Sequence, residues 1–318
     1  MDAILGIDMG KSDFHCALVV DDQLRSNSFP NTPLGFKKLA SWLRNRKIVR
    51  VHACLESTGG WSEELGTFLH EAGHIVSIAN AAAVKAFGQS ELSRTKTDKA
   101  DASLIARYCR AMKPRIWSPP SPPERRLQHL ERRRVALVEM RAQEENRLQG
   151  PGVDDVRSSI ETTIAFLAAQ INEIESEINQ TIDQDPTLRN KRKLLESIPG
   201  IGTTASMTLL GELPNILDFK NAKALAAFVG LCPREFRSGT SVSKSWVSKA
   251  GNKHVRRVLY MPAVTAIRFN PALAAFAERL RLKGKAEKQI IVAVMRKLVV
   301  FAYGILKSAK PFAPALAP

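Results

Sequence analysis

One stretch near the start of the chain decides the fold, and it reads AILGID over residues 3–8. The apolar residues form a continuous run, which is typical of a buried β-strand, and the run ends on the carboxylate Asp8. A second run, VHACLE over residues 51–56, ends in the same way on Glu56. We expect these strands to be neighbours in one sheet, with their terminal carboxylates close together.

Two further carboxylates, Asp98 and Asp101, stand three residues apart at the start of a helix predicted from 98 to 112. This spacing places both on one face of the helix. With Asp8 and Glu56 they offer the hard oxygen ligands that Mg²⁺ prefers. The alternative is that all four are ordinary caps, with Asp98 as the N-cap of its own helix. We favour a Mg²⁺ site that acts on phosphate.

The order of the predicted elements indicates an α/β domain over residues 1–117. Three short strands, a helix opened by Thr32-Pro33 and then alternating strands and helices give β-β-β-α-β-α-β-α. This is the element order of the RNase H-like (RuvC-like) fold. The strands are predicted at 3–9, 14–20, 24–29, 49–56 and 74–79, and the later helices at 61–72, 81–87 and 98–112.

Three short motif matches in this domain are set aside. Gly10-Lys11-Ser12 would need glycine at position 5 to be a phosphate-binding P-loop, and that residue is leucine. The Asp-x-Gly that ends the first strand also occurs in sugar kinases and actin-like ATPases, but the sequence lacks their second phosphate loop and Gly-rich adenosine pocket. HEAGH at 70–74 matches a zinc-protease pattern, yet a helix that ends near residue 73 directs His74 away from His70.

A proline-rich segment at 117–123 separates this domain from a helical middle domain, 118–186. Two helices are predicted there, at about 122–148 and 154–183, with a hinge at 150–152. The second helix carries an isoleucine-rich heptad seam, formed by Ile160, Ile164, Leu167, Ile171, Ile174 and Ile178. The seam fits an intramolecular helical hairpin or a coiled coil between subunits. We favour the coiled coil, which predicts a homo-oligomer, either a dimer or a tetramer.

The last domain, 187–318, is predicted to be mainly α-helical, and it is strongly basic. From residue 233 onward there are 17 Lys and Arg against three Asp and Glu, so this part carries +14 of the net charge of +16. Such an excess favours a polyanionic partner. We expect nucleic acid and no membrane, because the sequence shows neither an amphipathic anchor nor an apolar run long enough to span a bilayer.

The same domain opens with a glycine-rich turn, SIPGIG over residues 197–202, before an Ala/Leu helix at about 203–212. This arrangement resembles a helix-hairpin-helix element, in which turn amides hold a backbone phosphate. A plain turn between two core helices is the alternative. Four scattered cysteines, with no signal peptide ahead of the first strand, indicate a cytoplasmic protein with reduced thiols.

A polar loop of the basic domain contains Ser238-Gly239-Thr240-Ser241, flanked by four cations, Arg234, Arg237, Lys244 and Lys249. A serine in a loop is usually only a loop residue. A serine surrounded by arginine and lysine is also what nucleophilic attack on a phosphodiester requires, since the cations stabilise charge on the phosphorus oxygens.

Together these residues resemble the IS110 family of insertion-sequence transposases, DEDD-type enzymes understood as bridge-RNA-guided recombinases. The resemblance covers nearly the whole chain. Its motifs, in chain order, are GID at 6–8, LESTG at 55–59, KTDKADA at 96–102, SIPGIG at 197–202, FVGLCPR at 228–234, RSGTS at 237–241 and KAGN at 249–252.

The resemblance implies that Asp8, Glu56, Asp98 and Asp101 bind Mg²⁺ and that Ser238 forms a covalent serine–DNA phosphoester. Ser241 is close enough to compete, and we favour Ser238 because it precedes glycine in the family's motif. The implied partners are double-stranded target and donor DNA and a structured noncoding bridge RNA, in the cytoplasm of a prokaryote and at its nucleoid. The predicted nucleic-acid-binding residues are Arg234, Arg237, Lys244, Lys249, Lys253, Arg256 and Arg257.

Two other functions fit the residues. A Mg²⁺-dependent nuclease of the Holliday-junction type would use the four carboxylates to activate water and would need no serine. A non-catalytic nucleic-acid-binding protein could use the same scaffold, but it would have no need of four carboxylates.

Overall fold

A computed structural model describes residues 3–57, 60–92, 97–151, 153–236, 244–247 and 251–313. The chain divides into two compact units, Met1–Pro119 and Pro120–Pro318. The helices of the predicted middle domain thus lie in the second unit, and a further division at residue 186 stays a prediction.

The first unit is built on a five-stranded sheet with the strand order β3-β2-β1-β4-β5. β1, β2 and β3 form an antiparallel meander, whereas β4 runs parallel to β1 and β5 parallel to β4. The strands are β1 Ile4–Met9, β2 Asp13–Val20, β3 Gln23–Pro30, β4 His52–Glu56 and β5 Ile75–Ala79. The predicted strand order along the chain is confirmed, and with it a mixed α/β domain.

Four helices cover the two faces of this sheet, namely α1 Pro33–Arg44, α2 Gly60–Glu71, α3 Ala81–Ser90 and α4 Asp98–Met112. Alternate strand residues point to opposite faces. Leu5 and Ile7 pack in one core cluster with residues of α1 and α2. Ile4 and Cys54 pack in the other cluster with residues of α3 and α4. α2 ends before His74, as expected, so His70 and His74 do not share a helical face.

Gly6 allows α4 to lie directly against the sheet. A Cβ atom built on Gly6 would come within 2.2 Å of the Ala102 carbonyl oxygen and 2.3 Å of the Ala106 nitrogen. Any side chain at this position would therefore push the α4 backbone away from β1. The contact fixes the height of α4 above β1 and brings the first turn of α4 near the end of that strand.

The second unit begins with two long helices, α5 Pro122–Leu148 and α6 Arg157–Gln184, which pack against each other. A 3-10 turn, Asp154–Val156, precedes α6. Leu167 and Ile171 of the heptad seam pack with Leu137 of α5, and Ile178 packs in the main core with Leu127. The structure therefore shows the intramolecular hairpin, and self-association through a coiled coil stays a prediction.

The rest of the second unit is mainly helical, with one small antiparallel hairpin of β6 and β7. Its elements are α7 Pro186–Glu196, α8 Thr203–Glu212, α9 Ala222–Val229, β6 Pro233–Phe236, β7 Lys244–Val247, α10 Lys253–Val258, α11 Tyr260–Phe269, α12 Pro271–Leu282 and α13 Glu287–Ser308. A 3-10 turn, Ile216–Asp218, joins α8 to α9. The predicted helix at 203–212 is confirmed at those bounds.

One expectation about apolar segments was wrong. α13 is long and apolar enough to cross a membrane by length and composition alone. About 61% of its most apolar window is buried, and Ile290, Val294 and Leu298 lie fully inside the protein. A single such helix is weak evidence for a membrane span, because core helices have the same composition.

Candidate active site

Three residues of the first unit lie in a row across neighbouring strands. Ile7 pairs with Leu55, so Asp8 and Glu56 follow as the next residues of the parallel strands β1 and β4. On the other side of β1, Asp8 pairs with His15 of β2. Since Gly6 faces α4, Asp8 two residues later faces it too. The row Glu56, Asp8 and His15 therefore lies under the first turn of α4.

The other two predicted carboxylates come from that turn. Thr97 is the N-cap of α4, because its hydroxyl accepts a hydrogen bond from the Ala100 amide at 3.2 Å. Asp98 is thus the first residue inside the helix, and the alternative that it serves as the N-cap is wrong. Its carboxylate is 71% exposed and lies 3.5 Å from Nε2 of His15. A capped helix leaves both Asp98 and Asp101 available for another role.

The charges of the other three carboxylates all act on Asp8. Burial, followed by the negative charges of Asp101, Glu56 and Asp98, raises the pKa of Asp8 to about 6, while His15 acts in the opposite direction. Burial, followed by the charge of Asp101, also raises the pKa of Glu56. Crowded carboxylates that resist ionisation are a common mark of functional sites. The structure thus brings together all four residues that the sequence singled out.

The donor set fits a hard divalent cation, since all four side chains offer carboxylate oxygens and their mutual repulsion would be relieved by positive charge. Within the described part of the chain, no three His, Cys, Asp or Glu side chains already surround one metal position. Binding of a cation would therefore require the carboxylates to lie closer together than they do here.

The structure describes the strands on either side of the serine segment, residues 237–243, of the second unit. Ser238, Ser241, Arg237 and Lys249 lie outside the described residues, and so do the side chains of Arg234 and Lys244. The strands on either side, β6 and β7, pair antiparallel with Phe236 opposite Lys244. Strand pairing thus holds Phe236 and Lys244, which flank segment 237–243, next to each other.

The residues that follow this segment are fixed to the core by a carboxylate that the sequence did not reveal. The side chain of Asn252 caps α10 by accepting from the amides of His254 and Val255. Its Nδ2 atom donates to Oε2 of Glu212 at 2.7 Å, and Glu212, only 7% exposed, also lies 3.3 Å from Nε of Arg132. α10 is therefore held at its N-cap residue.

The predicted cations on α10 have different surroundings. Lys253 is exposed to solvent. Arg256 donates from Nη1 to the Val229 carbonyl at 2.8 Å, at the end of α9, and Arg257 pairs with Glu139. These contacts give Arg256 a structural role, which a count of charges along the sequence could not show.

A cleft of about 710 Å³ opens at the N-terminus of α8. Its lining includes Gly202, which is the N-cap of α8 and supplies no side-chain hydrogen bond to the first turn. Apolar side chains of α5 and α11 form much of the wall, and Arg257 of α10 adds positive charge. The cleft thus lies at the glycine-rich turn 197–202, and a helix-hairpin-helix role for this turn stays a prediction.

Comparisons with known proteins agree with this organisation. A model of a DEDD-type IS110 transposase domain, described as Transposase, matches residues 5–151. The model described as Transposase IS116/IS110/IS902 family matches residues 192–278. The pilin gene-inverting protein of Moraxella bovis is 34% identical over 313 residues, which cover 97% of each chain. The chain belongs to the IS110 family of transposases.

Other relatives of this transposase are more distant. The transposase for insertion sequence element IS1328 of Yersinia enterocolitica is 23% identical over 80% of this chain and 81% of its own. Among solved structures, T. thermophilus RuvC in complex with Holliday junction substrate is 16% identical and covers 35% of this chain, with a TM-score of 0.27. That score is too low to carry an argument about the fold.

Family membership makes this protein an enzyme that acts on DNA. The first family match spans all four carboxylates, and the second spans the serine segment and α10. DEDD-type domains generally use a divalent metal, in agreement with the all-oxygen donor set described above.

Proposed function

We propose that this transposase cuts and joins DNA strands through a covalent serine–DNA intermediate, assisted by Mg²⁺ at the four carboxylates and guided by a structured noncoding RNA. The observation that carries the proposal is the convergence of Asp8, Glu56, Asp98 and Asp101, whose negative charges act together with burial to raise the pKa of Asp8 to about 6. Carboxylates crowded in this way are common at functional sites, where a bound cation offsets their repulsion.

The four carboxylates would hold the cation, and a metal there would stabilise negative charge on the phosphate during strand transfer. Ser238 Oγ would attack phosphorus, so that one P–O bond forms and the bond to the leaving strand breaks. The hydroxyl proton passes to a base, and the departing oxygen takes up a proton. Because one phosphoester replaces another, the strand can be rejoined without ATP.

The cations around the serine are suited to the same step. Arg234, Arg237, Lys244 and Lys249 would neutralise the phosphate while charge builds on its oxygens. The basic residues that follow, including Lys253, which is exposed at the start of α10, would bind the phosphates of the nucleic-acid backbone. The name of the Moraxella bovis relative describes the inversion of a gene, which also requires strands to be cut and rejoined.

Guidance by RNA would leave the choice of target and donor DNA to base pairing, with the protein binding backbone. Self-association of the α5–α6 hairpin into a dimer or tetramer would bring two DNA duplexes together. The reaction would take place at the nucleoid in the cytoplasm of a prokaryote. A structured noncoding segment in the DNA beside this gene is the expected source of the RNA.

Substitution of the serine tests the covalent step. We expect Ser238→Ala to abolish the covalent protein–DNA adduct, because the nucleophilic oxygen is gone. The substrate is DNA from the ends of the insertion sequence, mixed with the RNA encoded beside the gene. Denaturing gels of labelled DNA measure the adduct. Ser241→Ala is the matched control and should retain it. An undiminished adduct in Ser238→Ala would remove Ser238 from this role, and cleavage without any adduct would favour hydrolysis by metal-activated water.

We also propose that the turn before α8 holds a backbone phosphate, as in a helix-hairpin-helix element. The first-turn amides of α8 receive no side-chain hydrogen bond from Gly202, and a Cβ atom at Gly202 would meet no heavy atom within 4 Å. The cationic residues Arg134 and Arg257 line the same cleft. A helix N-terminus with open access and nearby cations favours an anion.

Substitution at Gly202 separates phosphate binding from folding. Asp is a good N-cap residue, so Gly202→Asp should change the free energy of unfolding by only a few tenths of a kcal/mol, roughly. Its negative charge should weaken DNA binding roughly tenfold at low salt, as measured by fluorescence anisotropy. Gly202→Ser, an uncharged cap, is the control and should bind nearly as wild type. Equal affinities for the Asp and Ser variants would contradict a phosphate at this turn.

A further inference from the structure

His15 belongs to the carboxylate cluster by its position in the sheet. It is the β2 partner of Asp8, and partners across antiparallel strands point to the same face. Its side chain is 28% exposed, and its Nε2 atom lies 3.5 Å from Oδ2 of Asp98 and 3.7 Å from Oδ2 of Asp13. The side chain of His15 therefore extends from the sheet to the first turn of α4.

Other carboxylates near Asp98 repel its negative charge. Asp98, Glu56 and Asp101 all raise the pKa of Asp8, so the four negative charges lie close enough to interact. The side chain of Asp98 is also 71% exposed. Repulsion alone would turn the carboxylate outward into solvent, where a flexible side chain gains rotational freedom. The His15 imidazole, 3.5 Å away on the sheet side of Asp98, is placed to oppose that rotation.

We infer that His15 is a positioning residue that holds the Asp98 carboxylate toward the metal position through its Nε2 hydrogen. This inference rests on the proposed divalent-metal site. It assigns His15 no bond to the metal and no proton transfer. Side chains that orient metal ligands in this way typically change metal affinity by about 10–100-fold when removed.

Glutamine provides a close substitute for this role. Its amide nitrogen can occupy nearly the position of Nε2 in histidine and can donate a hydrogen bond, but it neither titrates in the usual range nor serves as an imidazole ligand. His15→Gln should therefore keep the function of His15, whereas His15→Ala should lose it. The exposed His70 of α2 offers a matched control as His70→Gln.

The test is calorimetric titration of Mn²⁺ into the full-length protein. We expect His15→Ala to weaken Mn²⁺ binding about tenfold, and His15→Gln and His70→Gln to stay within about threefold of wild type. If His15 acts through Asp98, the double variant His15→Ala/Asp98→Asn should bind no more weakly than Asp98→Asn alone. Thermal unfolding of each variant reports whether it is folded.

Several results would overturn the inference. Losses that add in the double variant would show that His15 acts independently of Asp98. Equal weakening by Gln and Ala, or a nitrogen coupling to bound Mn²⁺ in pulsed electron paramagnetic resonance that disappears in His15→Gln, would show that the imidazole itself is required. Absence of Mn²⁺ binding to the wild-type protein would instead refute the proposed metal site, and the inference with it.

Discussion

Asp8→Asn is expected to lower the rate of DNA strand cleavage on the order of 10³-fold, through loss of a charged group at the centre of the cluster. Asp8 lies between Glu56 and His15 in the row across the sheet, and its pKa responds to all three other carboxylates. An amide has nearly the same shape as the carboxylate but cannot neutralise a cation. The measurement is cleavage of labelled element-end DNA by variant and wild type in Mg²⁺.

Glu64→Gln on α2 is the matched control, since it makes the same chemical change at an exposed carboxylate of the same unit. It should leave the cleavage rate within about twofold of wild type, as expected for a surface position. An Asp8→Asn variant that cleaves at the wild-type rate would mean that the cluster takes no part in catalysis.

The same variant should change how stability depends on pH in the absence of metal. The pKa of Asp8 is raised to about 6 by burial and by its neighbours, whereas an unfolded aspartate titrates near pH 4. Its stabilising contribution is therefore complete below pH ~4 and is lost as pH rises through about 6. The melting temperature of Asp8→Asn should exceed that of wild type increasingly over this window, and the difference should level off above it. A constant difference from pH 4 to 7.5 would contradict the raised pKa.

Gly6→Ala is expected to have a large effect on folding in the first unit. The added Cβ would meet backbone atoms of Ala102 and Ala106 at 2.2 to 2.8 Å, and backbone cannot yield as a flexible side chain can. We expect the free energy of unfolding to fall by about 3 kcal/mol, the upper part of the range for overpacking. Displacement of α4 would also carry Asp98 and Asp101 away from Asp8, so cleavage should fall even in the folded fraction.

Urea unfolding followed by tryptophan fluorescence measures this effect, because three of the four tryptophans, Trp42, Trp61 and Trp117, lie in the first unit. Gly304→Ala is the control, since a Cβ at that position in α13 meets no heavy atom within 4 Å. Alanine in place of a helical glycine should be neutral or stabilising by up to about 1 kcal/mol. Equal stability of Gly6→Ala and wild type would show that α4 does not rest on β1 as described.

Local patterns were sufficient to predict most of the first unit. An apolar run that ends on a carboxylate predicted β1, and α4 begins and ends at its predicted residues, 98 and 112. The strand predicted from 49 begins instead at His52, and the helix predicted to end at 87 continues to Ser90. Element ends depend on hydrogen bonds with distant parts of the chain, which a local pattern does not contain.

The residues that the sequence did not reveal are those defined by tertiary contacts. His15 became part of the site only once the β1–β2 register and the face covered by α4 were known. Glu212 is 40 residues from Asn252 in sequence, and no motif joins them. A heptad seam shows that one helical face is apolar, but it does not show whether α5 or another subunit covers that face.

The most direct test of the central claim, that the four carboxylates hold a metal against the DNA phosphate, is cleavage of DNA with sulfur in place of a non-bridging oxygen at the scissile phosphate. Mg²⁺ binds sulfur poorly, whereas softer metals accept it. We predict that one phosphorothioate diastereomer is cut much more slowly than normal DNA in Mg²⁺ and that Mn²⁺ restores most of the rate. Equal slowing in both metals, or full cleavage of normal DNA in EDTA, would contradict the claim.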